Sequence, residues 1–354
     1  MQGGPAEWGE RLSDRIRRAI AAGDLGSARR LAIEGDGQAR SLEKEYALMY
    51  KGLGITLRVL VGLLVDTVGP AGPDAAGSPA AALGSLLRRF CVDMRALMAS
   101  AYPPEALAAA LPGRGPDEVG ELGEEVGATA ALLAAAEACF SREQARLAAE
   151  VLRALEAGDA EAVRIGLDRK EQGQYVPLHD RMVRFMAESF GFVLERFGVT
   201  ALERFHFAAA EGQRRGFDGW EAMAPAEFAR ATAFLLKQHM GRVEVREDAE
   251  RFTIVQRPCG SGGRLRLAGA YAGRSALPLV EEPGALTLGR RDFPVYCSHC
   301  PIWNGLASVE WFGHPHWVFE DPARADGSCT LHVYKDRDAA PAEYYRRLGR
   351  AGGR

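Results

Sequence analysis

Along the first half of the chain, apolar residues recur at helical spacing. Leu42, Tyr46, Met49, Leu53, Leu57, Leu60 and Leu64 follow one another at steps of four and three, the stripe of one helix face. A Pro- and Gly-rich stretch at Pro70 to Pro79 predicts a loop, and Pro103-Pro104 and Pro112-Gly113-Arg114-Gly115-Pro116 predict two further breaks. From Glu121 to Leu155 the chain is rich in Ala, Glu and Leu, which favour helix. Arg18-Ala19-Ile20-Ala21-Ala22-Gly23-Asp24 recurs as Arg153-Ala154-Leu155-Glu156-Ala157-Gly158-Asp159. In each copy Gly is placed to end one helix and Asp to cap the next, and a long apolar helix follows, starting near Ser41 and near Pro177. The pattern predicts a duplicated helical hairpin over 11–68 and 146–197 within a helical domain at 1–195.

The pattern changes after Gly198. Thr200-Ala201-Leu202-Glu203 reads as a capping box opening a helix to about Arg215, Phe217-Asp218-Gly219-Trp220 as a turn, and Pro225 as the first turn of a helix ending at Met240-Gly241. From Val243 the period becomes two: Val243 and Val245 alternate with Glu244 and Arg246, and Phe252 and Ile254 alternate likewise. Val309–Phe312, His316–Glu320 and Cys329–Tyr334 read as further strands, with a short helix near Cys300. The expected fold class is α+β: an all-helical front, an α+β domain with an antiparallel sheet over 196–340, and a flexible tail over 341–354.

Composition narrows the function. A chain of 354 residues exceeds one ordinary core, and its charge of −3 exerts no general pull on nucleic acid or an acidic membrane. No basic stripe interleaves with aromatics, so neither nucleic acid nor membrane is an expected partner. The N-terminus lacks the basic and apolar regions of a signal peptide, and the most apolar stretch, Gly52 to Val68, is interrupted by Arg58 and Asp66. A cytoplasmic location is expected. There thiols stay reduced, and six cysteines point to metal binding or catalysis rather than disulfides.

Four of those cysteines (Cys259, Cys297, Cys300, Cys329) and four of the seven histidines (His299, His314, His316, His332) lie between 259 and 332. Cys297-Ser298-His299-Cys300 has the Cys-x-x-Cys spacing that brings two thiolates onto one tetrahedral ion. Cys259 stands in Pro258-Cys259-Gly260-Ser261-Gly262-Gly263, a turn able to approach a metal or ligand closely. Three thiolates with an open position suit catalytic zinc. A fourth ligand, from Cys329, His314, His316 or His332, closes the site, and the same pattern suits an iron–sulfur cluster. Cys329 shares its strand face with Leu331 and Val333, which equally suits a packed thiol, and Cys91 and Cys139 read as core. A redox dithiol at Cys297 and Cys300 lacks the expected βαβ context.

Three other residues are candidates for catalysis. His179 lines an apolar helix face with Val183, Met186, Phe190 and Leu194, which suits a base in a pocket or a satisfied core histidine. His239 ends its helix just before the first strand, where the helix dipole also accounts for it. Arg264 follows the glycines and is placed to grip a carboxylate. Trp303, Trp311, Phe312 and Trp317 surround the cysteine segment as sheet core or pocket wall.

Glu211-Gly212-Gln213-Arg214-Arg215-Gly216-Phe217, Met240-Gly241-Arg242-Val243-Glu244-Val245, Tyr296-Cys297 with Gly305, and Asp326-Gly327-Ser328-Cys329-Thr330-Leu331-His332-Val333 follow in an order that resembles 4-vinyl reductase-type domains and proteins similar to L-2-amino-thiazoline-4-carboxylic acid hydrolase. The resemblance implies a buried pocket for a small organic ligand, with Cys297 and Cys329 in the positions of those families' cysteines. Asp321-Pro322-Ala323-Arg324 stands where a further cysteine often occurs. Two readings result: a zinc-thiolate enzyme cleaving a C–N or C–S bond of a small organic substrate, as hydrolase or lyase, or a non-catalytic ligand-binding or sensor module with structural zinc. In either, the helical half offers a face for a homodimer.

Overall fold

The computed structural model describes residues 4–38, 41–69, 77–108 and 120–351, so the proline-rich break at 112–116 and most of the loop expected after Pro70 lie outside the described residues. The protein is α+β and mostly helical, with an antiparallel sheet in its C-terminal part. It divides into two compact units. One comprises Glu10–Val61 and Val65–Phe185; the other comprises Met186–Arg354 together with Met1–Gly9 and Gly62–Leu64. The division falls at Phe185/Met186, inside the helix Val176–Phe197.

The first unit is helical throughout. Its elements include Leu12–Ala21, Leu25–Glu34, Ala47–Val68, Pro79–Ala101, Leu122–Glu156 and Ala160–Asp168. The repeated Gly-Asp pairs do the same work twice. Gly23 and Gly158 take φ of +75° and +72°, which a glycine adopts without strain. Asp24 then accepts from the Ser27 amide, and Asp159 from those of Glu161 and Ala162. Leu57, Leu60, Leu83, Leu87, Phe90, Leu132, Phe140, Leu147 and Val151 are buried in this unit, and Cys91 and Cys139 are packed thiols here. By length and composition alone, Leu42–Val68 could cross a membrane; half of its most apolar window is buried in protein.

This core also holds charge. Glu45, Lys170 and Glu171 are fully buried, and Lys170 lies in a π-helical segment, Arg169–Tyr175. Glu45 accepts from the amide and hydroxyl of Ser13 and stands 3.8 Å from Lys170 Nζ. Glu171 accepts from the Tyr46 hydroxyl and pairs with Arg17 at 2.6 Å. The ammonium makes no hydrogen bond and lies 4.5 Å from the Tyr46 ring centroid. Burial lowers the Lys170 pKa and raises that of Glu45, each opposed by the partner's charge.

Among the described residues the second unit carries six strands: β1 (Val243–Glu247), β2 (Arg251–Gln256), β3 (Leu279–Val280), β4 (Phe293–Pro294), β5 (Val318–Asp321) and β6 (Cys329–Tyr334). Four form an antiparallel sheet in the order β1-β2-β6-β5, and β3 and β4 pair separately. The register sets Val245, Ile254, Leu331 and Phe319 opposite one another, and likewise Val243, Gln256 and Cys329. These rows share one face because cross-strand partners do. The helix Pro225–Gln238 packs against β1, β2 and β6, and the short helix Pro5–Trp8 against β1, with Trp8 and Phe252 ring centroids 5.6 Å apart.

Local expectations fail at four places. Gly198 (φ +83°) ends one helix and caps the next, so Thr200 is already inside the helix Val199–Glu211 and caps nothing. Phe217–Trp220 belongs to the helix Arg214–Glu221, where the two rings form an i,i+3 pair 5.3 Å apart. Val309–Phe312 closes the helix Ala307–Phe312, stopped by Gly313 at φ +87°, since a short aromatic run has no period of its own to separate helix from strand. In the expected tail, Ala342–Arg347 is helical with Tyr344, Tyr345 and Leu348 buried, and Arg347 donates to the Phe319 carbonyl at 3.1 Å.

Candidate functional site

Cys259, Cys297, Cys300 and Cys329 arrive from three separate segments of the second unit. The Cys259 amide donates to the Gly327 carbonyl at 2.9 Å, which ties the turn after β2 to the turn before β6. Gly327 sits there at φ +79°, and Ser328 closes the turn by donating its amide and hydroxyl to Asp326. Cys329 then opens β6 opposite Gln256, whose Oε1 is buried without a hydrogen-bond partner. Cys297 lies in a 3₁₀ turn, Val295–Ser298, and Cys300 in the helical turn that follows.

Glycine makes the convergence sterically feasible. A Cβ on Gly262 would lie 2.8 Å from Cys297 Sγ and 3.0 Å from the Tyr296 ring. One on Gly263 would lie 3.1 Å from Cys259 Cβ and collide with the Gly327 carbonyl. Gly260 is equally constrained, packed against the His239 carbonyl and the Gly241 amide. Only glycine lets these backbones approach so closely.

All four thiols are free. Cys259, Cys297 and Cys300 keep some solvent-reachable surface, and Cys329 is buried. Burial pushes the Cys297 thiol up to about 12 against the charge of Arg266, and it pushes Cys300 and Cys329 up as well, with the neighbouring cysteines adding to the rise. Arg266 donates to Cys297 Sγ at 3.2 Å and to the Arg324 carbonyl at 3.2 Å. The Tyr296 hydroxyl is hydrogen-bonded to Ser261.

The histidine of the Cys-x-x-Cys turn is fixed. His299 Nδ1 lies 2.5 Å from the Tyr296 carbonyl and has to donate to it, which leaves Nε2 as an acceptor 3.5 Å from Cys300 Sγ. Behind the turn, His206 Nε2 donates to Ser298 Oγ at 2.8 Å, while Ser298 donates to the Val295 carbonyl at 2.6 Å. Burial keeps both imidazoles neutral, lowering His299 to about 4 and His206 well below its ordinary value.

The three residues expected to act in catalysis are not brought to the thiols as a set. His179 belongs to the helical unit, with Nδ1 2.8 Å from Asp180. His239 flanks the Cys259 turn through its backbone carbonyl. Arg264 donates its amide to the Cys259 carbonyl at 3.0 Å, and the guanidinium beside the sulfur is that of Arg266, two residues on in the helix Gly262–Leu267. The only available signal for that choice was the Arg-Leu-Arg alternation, which sequence alone does not resolve.

His314 and His316 stand elsewhere. Both donate through Nε2 to the same Glu221 oxygen at 3.1 Å, and Arg337 reaches that oxygen at 2.5 Å. Among the described residues this is the one group of three whose potential ligand atoms all lie within 4.8 Å of one another. The arrangement holds a helix end to the β6 exit: Arg337 also donates to the carbonyls of Glu221 and Met223. A cation placed here would face the guanidinium, and His316 Nδ1, buried without a partner, lacks the outer hydrogen bond that metal-bound imidazoles make. His332 pairs with Glu320 at 3.4 Å and with Thr253 at 3.1 Å.

No protein-family model, curated protein or solved structure matches the chain.

Proposed function

We propose that this chain is an enzyme of small-molecule metabolism whose C-terminal unit holds a metal–thiolate centre on Cys259, Cys297, Cys300 and Cys329. The reading rests on one observation: the Cys259 turn is tied to the turn before Cys329, and its glycines pack against Cys297 Sγ, to which Arg266 donates. The substrate class is a small organic molecule with a C–N or C–S bond, cleaved hydrolytically or by elimination, in keeping with the resemblance to thiazoline-carboxylate hydrolases and 4-vinyl reductase-type domains. Arg266 is suited to holding an anionic group of that molecule near the sulfurs. A reducing cytoplasm would keep the ligands free. Zinc is the simplest metal for the role, and displacement of one thiol, Cys329 for example, would open a coordination position.

The test is metal content of the purified wild-type chain and of the Cys297→Ser and Cys259→Ser variants. Stoichiometric metal in the wild type, lost in both variants, supports the reading. A chain carrying neither zinc nor iron refutes it.

A further inference from the structure

We propose that the outward face of the helix Ala47–Val68 is a homodimer seam, on which two copies of this chain pack antiparallel about Ile55. The inward stripe of the helix, Leu53, Leu57, Leu60 and Leu64, is buried in its own core. A second stripe, Leu48, Gly52, Ile55, Val59 and Gly62, follows on the opposite side at steps of four, three, four and three. That spacing is the seam of a two-helix coiled coil. Leu48 is 63% and Ile55 41% exposed, Gly62 is exposed, and Gly52 and Val59 are half-buried.

Three features fit this face to a second copy of itself. Gly52 and Gly62 stand inside a helix, where glycine is the least favourable residue after proline. A Cβ on either would meet no atom within 4 Å, so packing within the chain does not require them, whereas a close helix partner does. The stripe is also self-complementary. Leu48 lies seven residues before Ile55 and Gly62 seven after, so an antiparallel two-fold sets each leucine on a glycine. Gly52 likewise meets Val59, and Ile55 meets its own copy on the axis. Charge completes the match. Lys44 and Asp66 lie eleven residues to either side of Ile55, both exposed, and among the described residues neither forms an ion pair within its chain. The two-fold brings them together at both ends of the seam, while a parallel pair would oppose like charges. Nearer the centre Lys51 approaches Arg58, whose charge Glu137 offsets at 3.6 Å. A lipid surface suits the stripe less well, because Lys51, Arg58 and Asp66 would be drawn into hydrocarbon with it. One helix pair is a small interface, so the association is concentration-dependent rather than permanent.

The experiment is sedimentation velocity of the reduced chain from low to high micromolar concentration. The expected result is a monomer–dimer equilibrium in the wild type. Ile55→Asp and Gly52→Leu stay monomeric over the same range, with far-ultraviolet circular dichroism unchanged. Under mild oxidation, Ile55→Cys forms a disulfide-linked dimer beyond the wild-type background. Leu48→Cys alone does not, and a mixture of Leu48→Cys with Gly62→Cys does. A wild-type chain monomeric throughout overturns the proposal, as does a dimer that persists in both Ile55→Asp and Gly52→Leu. Self-crosslinking of Leu48→Cys equal to that of Ile55→Cys overturns the antiparallel arrangement. Flotation of a monomeric wild-type chain with phosphatidylcholine–phosphatidylglycerol vesicles, lost in Ile55→Asp, gives the face to lipid and overturns the proposal too.

Discussion

Lowering the pH should destabilise the C-terminal unit, and His316 is one of the buried imidazoles that carry the effect. His316 is buried among aromatic rings, stacked on Phe312 at 5.2 Å and packed beside Phe228 at 5.2 Å. Burial lowers its pKa from 6.5 to about 4, outweighing the attraction of Glu221. Because the folded-state value is depressed for a base, the unfolded chain takes up the proton first. The contribution is fully present above pH 6.5 and is lost as the pH falls toward 4. A shift of that size corresponds to about 3 kcal/mol. That is a sizeable fraction of the roughly 5–15 kcal/mol that holds a domain folded.

The assay follows from where the tryptophans are: Trp8, Trp220, Trp303, Trp311 and Trp317 all lie in this unit, so their fluorescence reports its unfolding separately from the helical unit. Urea titrations of the wild type at pH 7, 6, 5 and 4 are compared with those of His316→Phe. This substitution keeps an aromatic ring, removes the titrating group and eliminates the unpartnered Nδ1. Glu221 keeps His314 and Arg337. The variant should be within about 1 kcal/mol of the wild type at pH 7, the scale of one net hydrogen bond. It should lose about 3 kcal/mol less on going to pH 4. Equal losses in the two proteins would refute a contribution of His316 to the acid sensitivity.

Gly262→Val should reduce metal occupancy severalfold with helical content unchanged by circular dichroism, since its side chain enters the space beside Cys297 Sγ; full occupancy would show that the glycine is not part of the site. In the helical unit, Lys170→Met should cost about 3–5 kcal/mol by leaving Glu45 buried without its cation. The Glu45→Gln, Lys170→Met double variant should recover part of that loss in thermal unfolding, and strictly additive losses would argue against their coupling. Tyr46→Phe should cost about 1–3 kcal/mol, because it removes the hydroxyl that a buried Glu171 accepts from.

The amino-acid sequence by itself determined the local elements whose signals are short-range. The leucine stripe of Ala47–Val68, the Ala/Glu/Leu run of Leu122–Glu156 and the alternation of β1 and β2 appear where their periods place them. The two Gly-Asp junctions form as read because a left-handed glycine and an aspartate cap need only neighbouring residues. The clustering of cysteines between 259 and 332 was legible too, and so was the glycine turn beside Cys259. Tertiary structure alone decided which groups meet across long separations. Arg266 rather than Arg264 reaches Cys297, His314 and His316 turn to Glu221, and Tyr344 from the supposed tail is buried. Periodicity reports which face of an element is apolar, whereas a site depends on the distances between faces. Those distances come from the antiparallel register of β2 with β6 and from two backbones meeting at Gly263 and Gly327, neither of which leaves a mark in the local pattern of residues.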